Sequence, residues 1–283
     1  MGKPSARVTA FAQGLLDLIL PPRSFDGGAA LTAGLSADAW SKITFLDGPV
    51  CDGCGAAFAY DAGEIRCALC QSRQRAFSRA RAACLYDEHS RDLILKLKHA
   101  DRTDLSGLFA RWLSRSAADL LDEAQAVVPV PMHPSRLFKR RYNQAAEIAR
   151  PLCAMADRPY LPDALVRKRD TDSQGGKSAT GRRRNVAAAF AVPEQRRHRV
   201  IGRKLLLIDD VLTTGATAEG CARALLAAGA TQVTLAVVAR VTEMQARPIL
   251  GRKQGLLRIS HGQGHDLHSP VLRLLRPRPE AAQ

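Results

Sequence analysis

The stretch that most constrains the fold of this chain runs from residue 204 to residue 217. It reads Lys-Leu-Leu-Leu-Ile-Asp-Asp-Val-Leu-Thr-Thr-Gly-Ala-Thr. The aliphatic run at 205–208 is typical of a strand buried in a parallel sheet. Two adjacent carboxylates, Asp209 and Asp210, follow at the predicted strand end, and a hydroxyl- and glycine-rich loop then leads into a predicted helix over 218–228. Helix N-termini bind phosphate through backbone N–H groups, and carboxylates accept hydrogen bonds from sugar hydroxyls. The order of these parts therefore predicts a site for a phosphorylated sugar.

This stretch resembles the phosphoribosyl-pyrophosphate (PRPP) signature of type I phosphoribosyltransferases. The signature is an aliphatic strand, two acidic residues, two variable residues and Thr-Thr/Ser-Gly-Gly/Ala-Thr, and every position matches. The resemblance implies that Asp209 and Asp210, the candidate catalytic residues, hold the ribose hydroxyls, and that the loop at 213–217 wraps the 5-phosphate. The candidate PRPP ligands here are Asp209, Asp210, Val211, Thr213, Thr214, Gly215, Ala216 and Thr217. The alternative is an ordinary turn between a strand and a threonine-capped helix.

Four of the seven cysteines form two Cys-x-x-Cys pairs separated by twelve residues. Two such pairs at this distance predict a tetrahedral structural Zn²⁺ with no open coordination position. The predicted ligands are Cys51, Cys54, Cys67 and Cys70. The alternative is two redox pairs. The remaining cysteines are scattered in apolar surroundings, which favours a reducing compartment over a disulfide framework.

Composition narrows the classes of partner. The chain has 283 residues and a formal net charge of +15, which favours a polyanion such as nucleic acid, PRPP or anionic lipid. Aromatic residues make up only 5% of the chain, so the sequence does not indicate a stacking platform for single-stranded nucleic acid. No apolar run has the length of a membrane span, and residues 1–22 are predicted to form an amphipathic helix rather than a signal peptide. We expect a cytoplasmic protein.

Two further stretches carry candidate ligand residues. The loop after a predicted strand at 126–130 resembles the pyrophosphate loop of the transferases, and basic residues follow it. The candidate PRPP ligands of this second stretch are Val130, Pro131, Met132, His133, Arg136 and Arg140.

The polar, basic segment 170–185 is predicted to be a mobile lid that keeps water from the reacting ribose. Its candidate lid residues are Gln174, Lys177, Arg183 and Arg184. The alternatives are a solvated helix face for the basic run and a simple connector for the lid segment.

Taken together, the motifs resemble the ComF family, whose members are linked to DNA uptake in competent bacteria and to the use of DNA as a nutrient. The resemblance covers roughly residues 8–240. Besides the two signatures above, it rests on Leu-Pro-Pro-Arg at 20–23, Leu-Lys-His at 97–99, Val-Pro-Val-Pro-Met-His-Pro-Ser-Arg at 128–136, Tyr-Asn-Gln-Ala at 142–145, Arg-Asp-Thr-x-x-Gln at 169–174 and Arg-Arg-Arg-Asn-Val at 182–186. Family members often carry another pair of Cys-x-x-Cys knuckles after the Pro-Pro-Arg. This chain has no cysteine there, so we expect one zinc ion rather than two.

The resemblance implies an α/β protein with a type I phosphoribosyltransferase fold, a parallel sheet flanked by helices, preceded by a small zinc ribbon with four cysteine ligands. The expected segments are an N-terminal helix with a degenerate first ribbon segment, the four-cysteine ribbon, the phosphoribosyltransferase domain and a basic, mostly disordered tail. Their predicted bounds are 1–50, 51–78, 79–242 and 243–283.

The implied function is PRPP binding with Mg²⁺-dependent transfer of phosphoribose to or from a nucleobase-type acceptor, linked to DNA uptake and utilisation or to nucleotide salvage. Whether the chain is an enzyme stays open. A non-catalytic sensor of PRPP or a nucleotide is the first alternative. A DNA-handling adaptor that contacts nucleic acid or the competence machinery is the second. No sequence motif identifies the acceptor.

Overall fold

The structure, a computed structural model, describes residue 25 and residues 34–58, 65–99, 102–168 and 189–242. The chain divides into two units, Met1–Arg247 and Pro248–Gln283. The second unit lies outside the described residues. So do the predicted N-terminal helix, the predicted lid at 170–185 and the predicted basic tail. The predicted segment bounds stay predictions.

A parallel sheet forms the centre of the first unit. Its strand order is β1-β6-β5-β2, and the strands are β1 (Ala80–Leu85), β2 (Ala126–Pro129), β5 (Lys204–Leu212) and β6 (Gln232–Arg240). The aliphatic run of β5 alternates between two hydrophobic clusters: Leu206 and Ile208 belong to one, Leu205 and Leu207 to the other. Because side chains alternate along a strand, both faces of this sheet are covered. The predicted parallel sheet with flanking helices is confirmed.

Among the described residues, two short helices precede the first strand, and the others lie between strands in the chain order expected of an α/β protein. They are α1 (Ala37–Ser41), α2 (Ala68–Ser72), α3 (Glu88–His99), α4 (Leu105–Ser116), α5 (Ala118–Glu123), α6 (Pro134–Arg140), α7 (Gln144–Ala156) and α8 (Ala216–Ala227), with a 3₁₀ helix at Glu194–Arg199. A small antiparallel pair, β3 (Val166–Arg167) with β4 (Phe190–Ala191), forms a second sheet. Residues of α3, α4 and α7 pack in one cluster, and residues of α8 pack in the other.

Two helices differ from expectation. The apolar pattern of residues 105–121 predicts a single helix, but the structure interrupts it at Ala117, whose φ of −120° and ψ of 26° are not helical. The helix α6 was not predicted as a separate element. It begins after the N-cap His133 with Pro134 in its first turn, where the missing proline N–H costs nothing, and it is terminated by the C-cap residue Arg141, which has a φ of 66°.

The cysteine segment is attached to the sheet through charged contacts. Asp52 lies between the first two cysteines. It accepts hydrogen bonds from Arg79, which precedes β1, at 2.9 Å and from Arg81, which is in β1, at 2.8 Å. Arg240 at the end of β6 is buried and donates to the carbonyl oxygen of Cys54. The ribbon is therefore part of the same packed unit as the sheet. None of the helices among the described residues has the length and apolar surface needed to cross a bilayer.

Candidate functional site

The acidic pair lies inside β5 rather than after it. The strand continues to Leu212 because its parallel pairing with β6 continues, Asp209 opposite Val237 and Leu212 opposite Arg240. The backbone N–H of Asp210 donates to Asp209 Oδ1 at 2.9 Å. The carboxylate of Asp210 pairs with Lys98 Nζ at 2.8 Å, and both side chains are mostly buried. Two carboxylates and an amine thus meet at the carboxyl end of the sheet.

Asp209 is held in an unusual protonation state. Burial raises the pKa of its carboxyl group from 3.8 to about 8, and the neighbouring charge of Asp210 acts in the same direction, against the opposing effects of the Asp210 N–H, Lys98 and Arg167. At neutral pH the free protein therefore keeps a proton on this group. A bound cation such as Mg²⁺, or a ligand that donates hydrogen bonds to the carboxylate, favours the ionised form of Asp209.

The loop after β5 turns sharply into α8. Gly215, the N-cap residue of α8, has a φ of 82°, a conformation that glycine adopts without strain. A Cβ atom at this position would lie 2.6 Å from Nη1 of Arg75. The signature glycine is thus required both by the backbone conformation and by the close approach of an arginine. The loop presents the N-terminus of α8 to the site, the arrangement that favours phosphate.

The opposite wall comes from the segment after β2. Asn143, the N-cap residue of α7, accepts from the Ala145 N–H at 3.1 Å and donates through Nδ2 to the carbonyl oxygen of Val130 at 2.9 Å. One side chain thereby caps the helix and holds the loop. His133 has a structural contact as well, because its Nδ1 accepts from the Ser135 N–H at 3.3 Å.

These parts enclose a cavity of about 360 Å³. Ten of the predicted ligand residues line it: Val130, Pro131, Met132, Arg136, Arg140, Asp209, Asp210, Val211, Thr213 and Thr217. Thr214, Gly215 and His133 lie in the same two loops and Ala216 begins α8, but these four are not among the lining residues. The predicted lid residues Gln174, Lys177, Arg183 and Arg184 lie outside the described residues.

The cavity also contains residues that sequence reasoning did not assign to it. The helical period over 89–99 predicts Leu93, Ile94 and Leu97 inward and Arg91, Lys96 and Lys98 outward. For Lys98 this is wrong, since its side chain is 19% exposed and pairs with Asp210. Arg167, from β3, lines the cavity and places its guanidinium over the ring of Phe190.

Gln144 also lines the cavity; its position in the sequence is compatible with either a ligand or a helix cap. It is buried in the cavity wall, and its Nε2 has no hydrogen-bond partner within the part of the chain that the structure describes. A buried amide without a partner is costly, so this atom indicates a group that a bound ligand would satisfy.

The four predicted zinc ligands form one cluster. The sulfur atoms of Cys51, Cys54, Cys67 and Cys70 all lie within 4.8 Å of one another. Cys54 and Cys67 are 3.8 Å apart, close to the ~3.8 Å edge of a tetrahedron with ~2.3 Å Zn–S bonds. Burial raises the pKa of the Cys54 and Cys70 thiols, so a cation is needed to hold them as thiolates. The residues fit zinc, and among the described residues this is the one such group.

Comparison with known proteins agrees with this geometry. The family described as the phosphoribosyl transferase domain matches residues 142–260. Competence protein F of Haemophilus influenzae is 28% identical over 197 residues, covering 68% of this chain and 85% of the relative. The DNA utilization protein YhgH of Escherichia coli K12 is 29% identical over 200 residues, with the same coverage. Competence protein ComFC of Bacillus subtilis is 24% identical over 193 residues, covering 67% of this chain and 76% of the relative.

A solved structure of the glutamine PRPP amidotransferase from B. subtilis, complexed with ADP and GMP, shares 22% identity with a TM-score of 0.32. It covers 49% of this chain and 26% of that one, an overlap too limited to carry any part of the assignment.

The sheet, the signature loop and the family match over residues 142–260 give this chain a phosphoribosyltransferase-type fold, preceded by a cysteine cluster of zinc-ribbon type. Within that class, the chain is a homologue of the competence and DNA utilization proteins, and the resemblance to the ComF family is confirmed.

Proposed function

We propose that this protein binds PRPP with Mg²⁺ and transfers phosphoribose to or from a nucleobase-type acceptor. The observation that carries the proposal is the cavity that joins the Asp209–Asp210 pair, the signature threonines and the basic loop after β2. Its charges suit a ligand with phosphate groups at both ends and hydroxyl groups between them.

Each wall of the cavity has a role in this proposal. The loop of Thr213 and Thr217, with the N-terminus of α8 behind it, holds the 5-phosphate. Asp209 and Asp210 accept hydrogen bonds from the ribose hydroxyls. The cationic side chains on the opposite wall, Arg136 and Arg140, face the pyrophosphate and neutralise it as it leaves C1. Mg²⁺ bound to the ligand supplies further neutralisation of the leaving group.

The metal and the lid complete the proposal. One zinc ion held by Cys51, Cys54, Cys67 and Cys70 is structural, because four thiolates leave no open position for chemistry. The lid residues Gln174, Lys177, Arg183 and Arg184 close over the pyrophosphate and exclude water while positive charge develops on the ribose. The names of the relatives support a role for this chemistry in competence or DNA utilisation. We expect it in the cytoplasm, as the cysteine distribution predicts.

Titration calorimetry with PRPP and Mg²⁺ tests binding. The unaltered protein is expected to bind, and the Asp209→Asn/Asp210→Asn variant to bind at least ~30-fold more weakly, the loss of two charge-assisted contacts. Asp163→Asn is a suitable control, because Asp163 pairs with Arg196 and Arg199 and does not line the cavity. If the unaltered protein does not bind PRPP, both the transferase and the sensor are excluded.

Release of pyrophosphate tests transfer. The protein is incubated with PRPP, Mg²⁺ and each base of a panel, and release above that without a base identifies the acceptor class. Binding of PRPP without release for any base would favour a sensor over a transferase. A DNA-handling adaptor would instead show DNA binding whose salt dependence survives removal of residues 243–283.

A further inference from the structure

A buried acid lies directly behind the proposed phosphate loop. Glu219 is in the first turn of α8, and only 3% of the residue is exposed. An acidic side chain near a helix N-terminus is favourable in itself, but its charge opposes a phosphate bound at the same terminus. A phosphate site with this acid beside it therefore needs compensating positive charge.

The compensation comes from the segment that follows the last zinc-binding cysteine. Arg73 donates from Nη2 to both carboxylate oxygens of Glu219, at 3.0 and 2.9 Å. Arg75 donates from Nη1 to Glu219 at 3.3 Å and to the carbonyl oxygen of Thr214 at 3.3 Å. Arg223, one turn further along α8, also reaches Glu219.

Arg75 is placed to act on the loop rather than on a ligand. Its side chain is 11% exposed, and its guanidinium fills the space behind Gly215. It lines a separate cavity of about 240 Å³ on the cysteine side of the loop, together with Arg66, Arg73 and Cys70. It is not among the residues that line the PRPP cavity.

The cysteine cluster determines where these arginines lie. Cys70 is in α2, and Arg73 caps the end of that helix, donating its N–H to the carbonyl oxygen of Leu69 at 3.1 Å. A short segment of sequence therefore connects Cys70, a predicted zinc ligand, to Arg73, which neutralises Glu219.

We propose that Arg75, assisted by Arg73, is a positioning residue for the 5-phosphate: it neutralises Glu219 and holds the loop, so the zinc-bearing segment completes the phosphate subsite. This inference rests on the proposed function, because it concerns the same PRPP site. It predicts that the two ends of the ligand respond differently to a change at Arg75.

The test uses two partial ligands and the full chain. Ribose 5-phosphate probes the loop, and pyrophosphate with Mg²⁺ probes the opposite wall. Arg75→Met is expected to weaken ribose 5-phosphate about tenfold, the size of one charge-assisted hydrogen bond, and to change pyrophosphate affinity less than about twofold. Arg66→Met is the matched control: Arg66 lines the same small cavity but donates to the Ser78 carbonyl oxygen, and both affinities should stay within about twofold.

A charge rescue separates positioning from general damage. In Arg75→Met/Glu219→Gln the acid no longer needs compensation, so ribose 5-phosphate affinity should return to within about threefold of the unaltered protein. Zinc content, measured in every variant, should not change. If Arg75→Met does not fold, Arg75→Lys replaces it. Its affinity for ribose 5-phosphate is expected to fall about threefold, because lysine keeps the positive charge but lacks the planar guanidinium that donates two hydrogen bonds at once.

The outcomes distinguish this inference from the proposed function. If the unaltered protein binds neither PRPP nor ribose 5-phosphate, the proposed function fails. If it binds both and the Arg75 variant binds ribose 5-phosphate equally well, the inference is overturned while the function stands. Equal weakening of both partial ligands, without rescue by Glu219→Gln, would also overturn it, since that pattern indicates a purely structural role.

Discussion

The proton on Asp209 should appear in the pH dependence of stability. Its folded-state pKa of about 8 is above the usual 3.8, so between these values the folded protein binds a proton that the unfolded chain releases. Stability from this group is therefore present at low pH and falls as the pH rises toward 8. Asp209→Asn should remove this pH dependence and raise the free energy of unfolding at pH 8.5 by about 1–2 kcal/mol relative to the unaltered protein. This value is smaller than the full pKa shift would give, because water reaches the cavity. Urea unfolding of both proteins at pH 5 and pH 8.5 provides the measurement, and parallel slopes would contradict the assignment.

The same proton should oppose ligand binding. If PRPP with Mg²⁺ needs the ionised carboxylate, its affinity should increase about tenfold between pH 7 and pH 9, where a group with a pKa near 8 loses its proton. Calorimetry across this range measures the change. Asp209→Asn should bind weakly and without this slope. An unaltered protein whose affinity is flat from pH 7 to pH 9 would show that Asp209 does not ionise on binding.

Lys98 should stabilise the acidic pair. Lys98→Met leaves the Asp210 carboxylate without its partner at 2.8 Å in a mostly buried position, so the free energy of unfolding should fall by about 1–3 kcal/mol. Lys96→Met is the control on the same helix, because Lys96 donates a long hydrogen bond, at 3.4 Å, to the carbonyl oxygen of Phe25, and its loss should cost less than about 0.5 kcal/mol. Chemical denaturation of both variants checks the difference, and a loss for Lys98→Met as small as that expected for Lys96→Met would mean that the pair contributes little.

The residues that sequence reasoning missed have a common physical cause. The helical period of α3 correctly placed Leu93, Ile94 and Leu97 in the core, and by the same reasoning it placed Lys98 in solvent. A period describes one helix, whereas the partner of Lys98 is on β5, far away in sequence. Arg167 is in a strand of two residues, too short for any pattern. Such contacts are determined by packing between elements, which spacing alone does not contain.

At the scale of elements, the turn into α8 should be sensitive to any side chain. Gly215→Ala introduces a Cβ at a φ of 82° and 2.6 Å from Arg75 Nη1. Gly202→Ala is a matched control, since Gly202 has a φ of 73° but nothing lies within 4 Å of the new Cβ. Both variants carry the backbone strain of about 1 kcal/mol. Gly215→Ala should lose about 1 kcal/mol more, because the end of Arg75 moves and gives up its hydrogen bonds to Thr214 and Glu219. Only Gly215→Ala should also weaken ribose 5-phosphate. Urea unfolding measures the stability of both variants, and calorimetry measures their affinity for ribose 5-phosphate. If the two variants lose the same stability and the same affinity, the close contact between position 215 and Arg75 is refuted.

The elements themselves were predicted where burial or backbone geometry leaves a local pattern. The aliphatic run of β5 and the glycine before α8 fall into this class, because each records a constraint at its own position. The helix α6 does not, since it is short and basic and exposes Leu137 and Phe138, so no apolar period marks it. The length of β5 was also underestimated, because pairing with β6 continues through Asp209 and Asp210 although both are polar.

At the scale of the whole unit, the cysteine segment connects to the sheet and to α8 at several separate points. Asp52 pairs with Arg79 and Arg81, Cys54 accepts from Arg240, and Arg73 reaches Glu219. The two Cys-x-x-Cys pairs predicted the cluster itself, because metal ligands must be close together. The spacing of the cysteines contains no information on the contacts between this segment and the rest of the unit, which join residues as much as 186 positions apart in sequence. Zinc binding and the stability of the sheet are therefore expected to be coupled.

Loss of zinc tests this coupling. The protein should contain about one zinc ion per chain, and Cys54→Ser should lose it together with roughly 5–10 °C of Tm, since a domain of this size loses roughly 2–4 °C for each kcal/mol. Cys153→Ser is the control: Cys153 is buried in α7, away from the cluster, and its variant should keep its zinc. The Cys54 variant should also bind ribose 5-phosphate more weakly, because Arg73 and Arg75 follow the cluster directly in sequence. Metal analysis and thermal unfolding measure both effects. A zinc content near two would refute the single site, and an unchanged Tm without zinc would show that the ribbon and the sheet are stabilised independently.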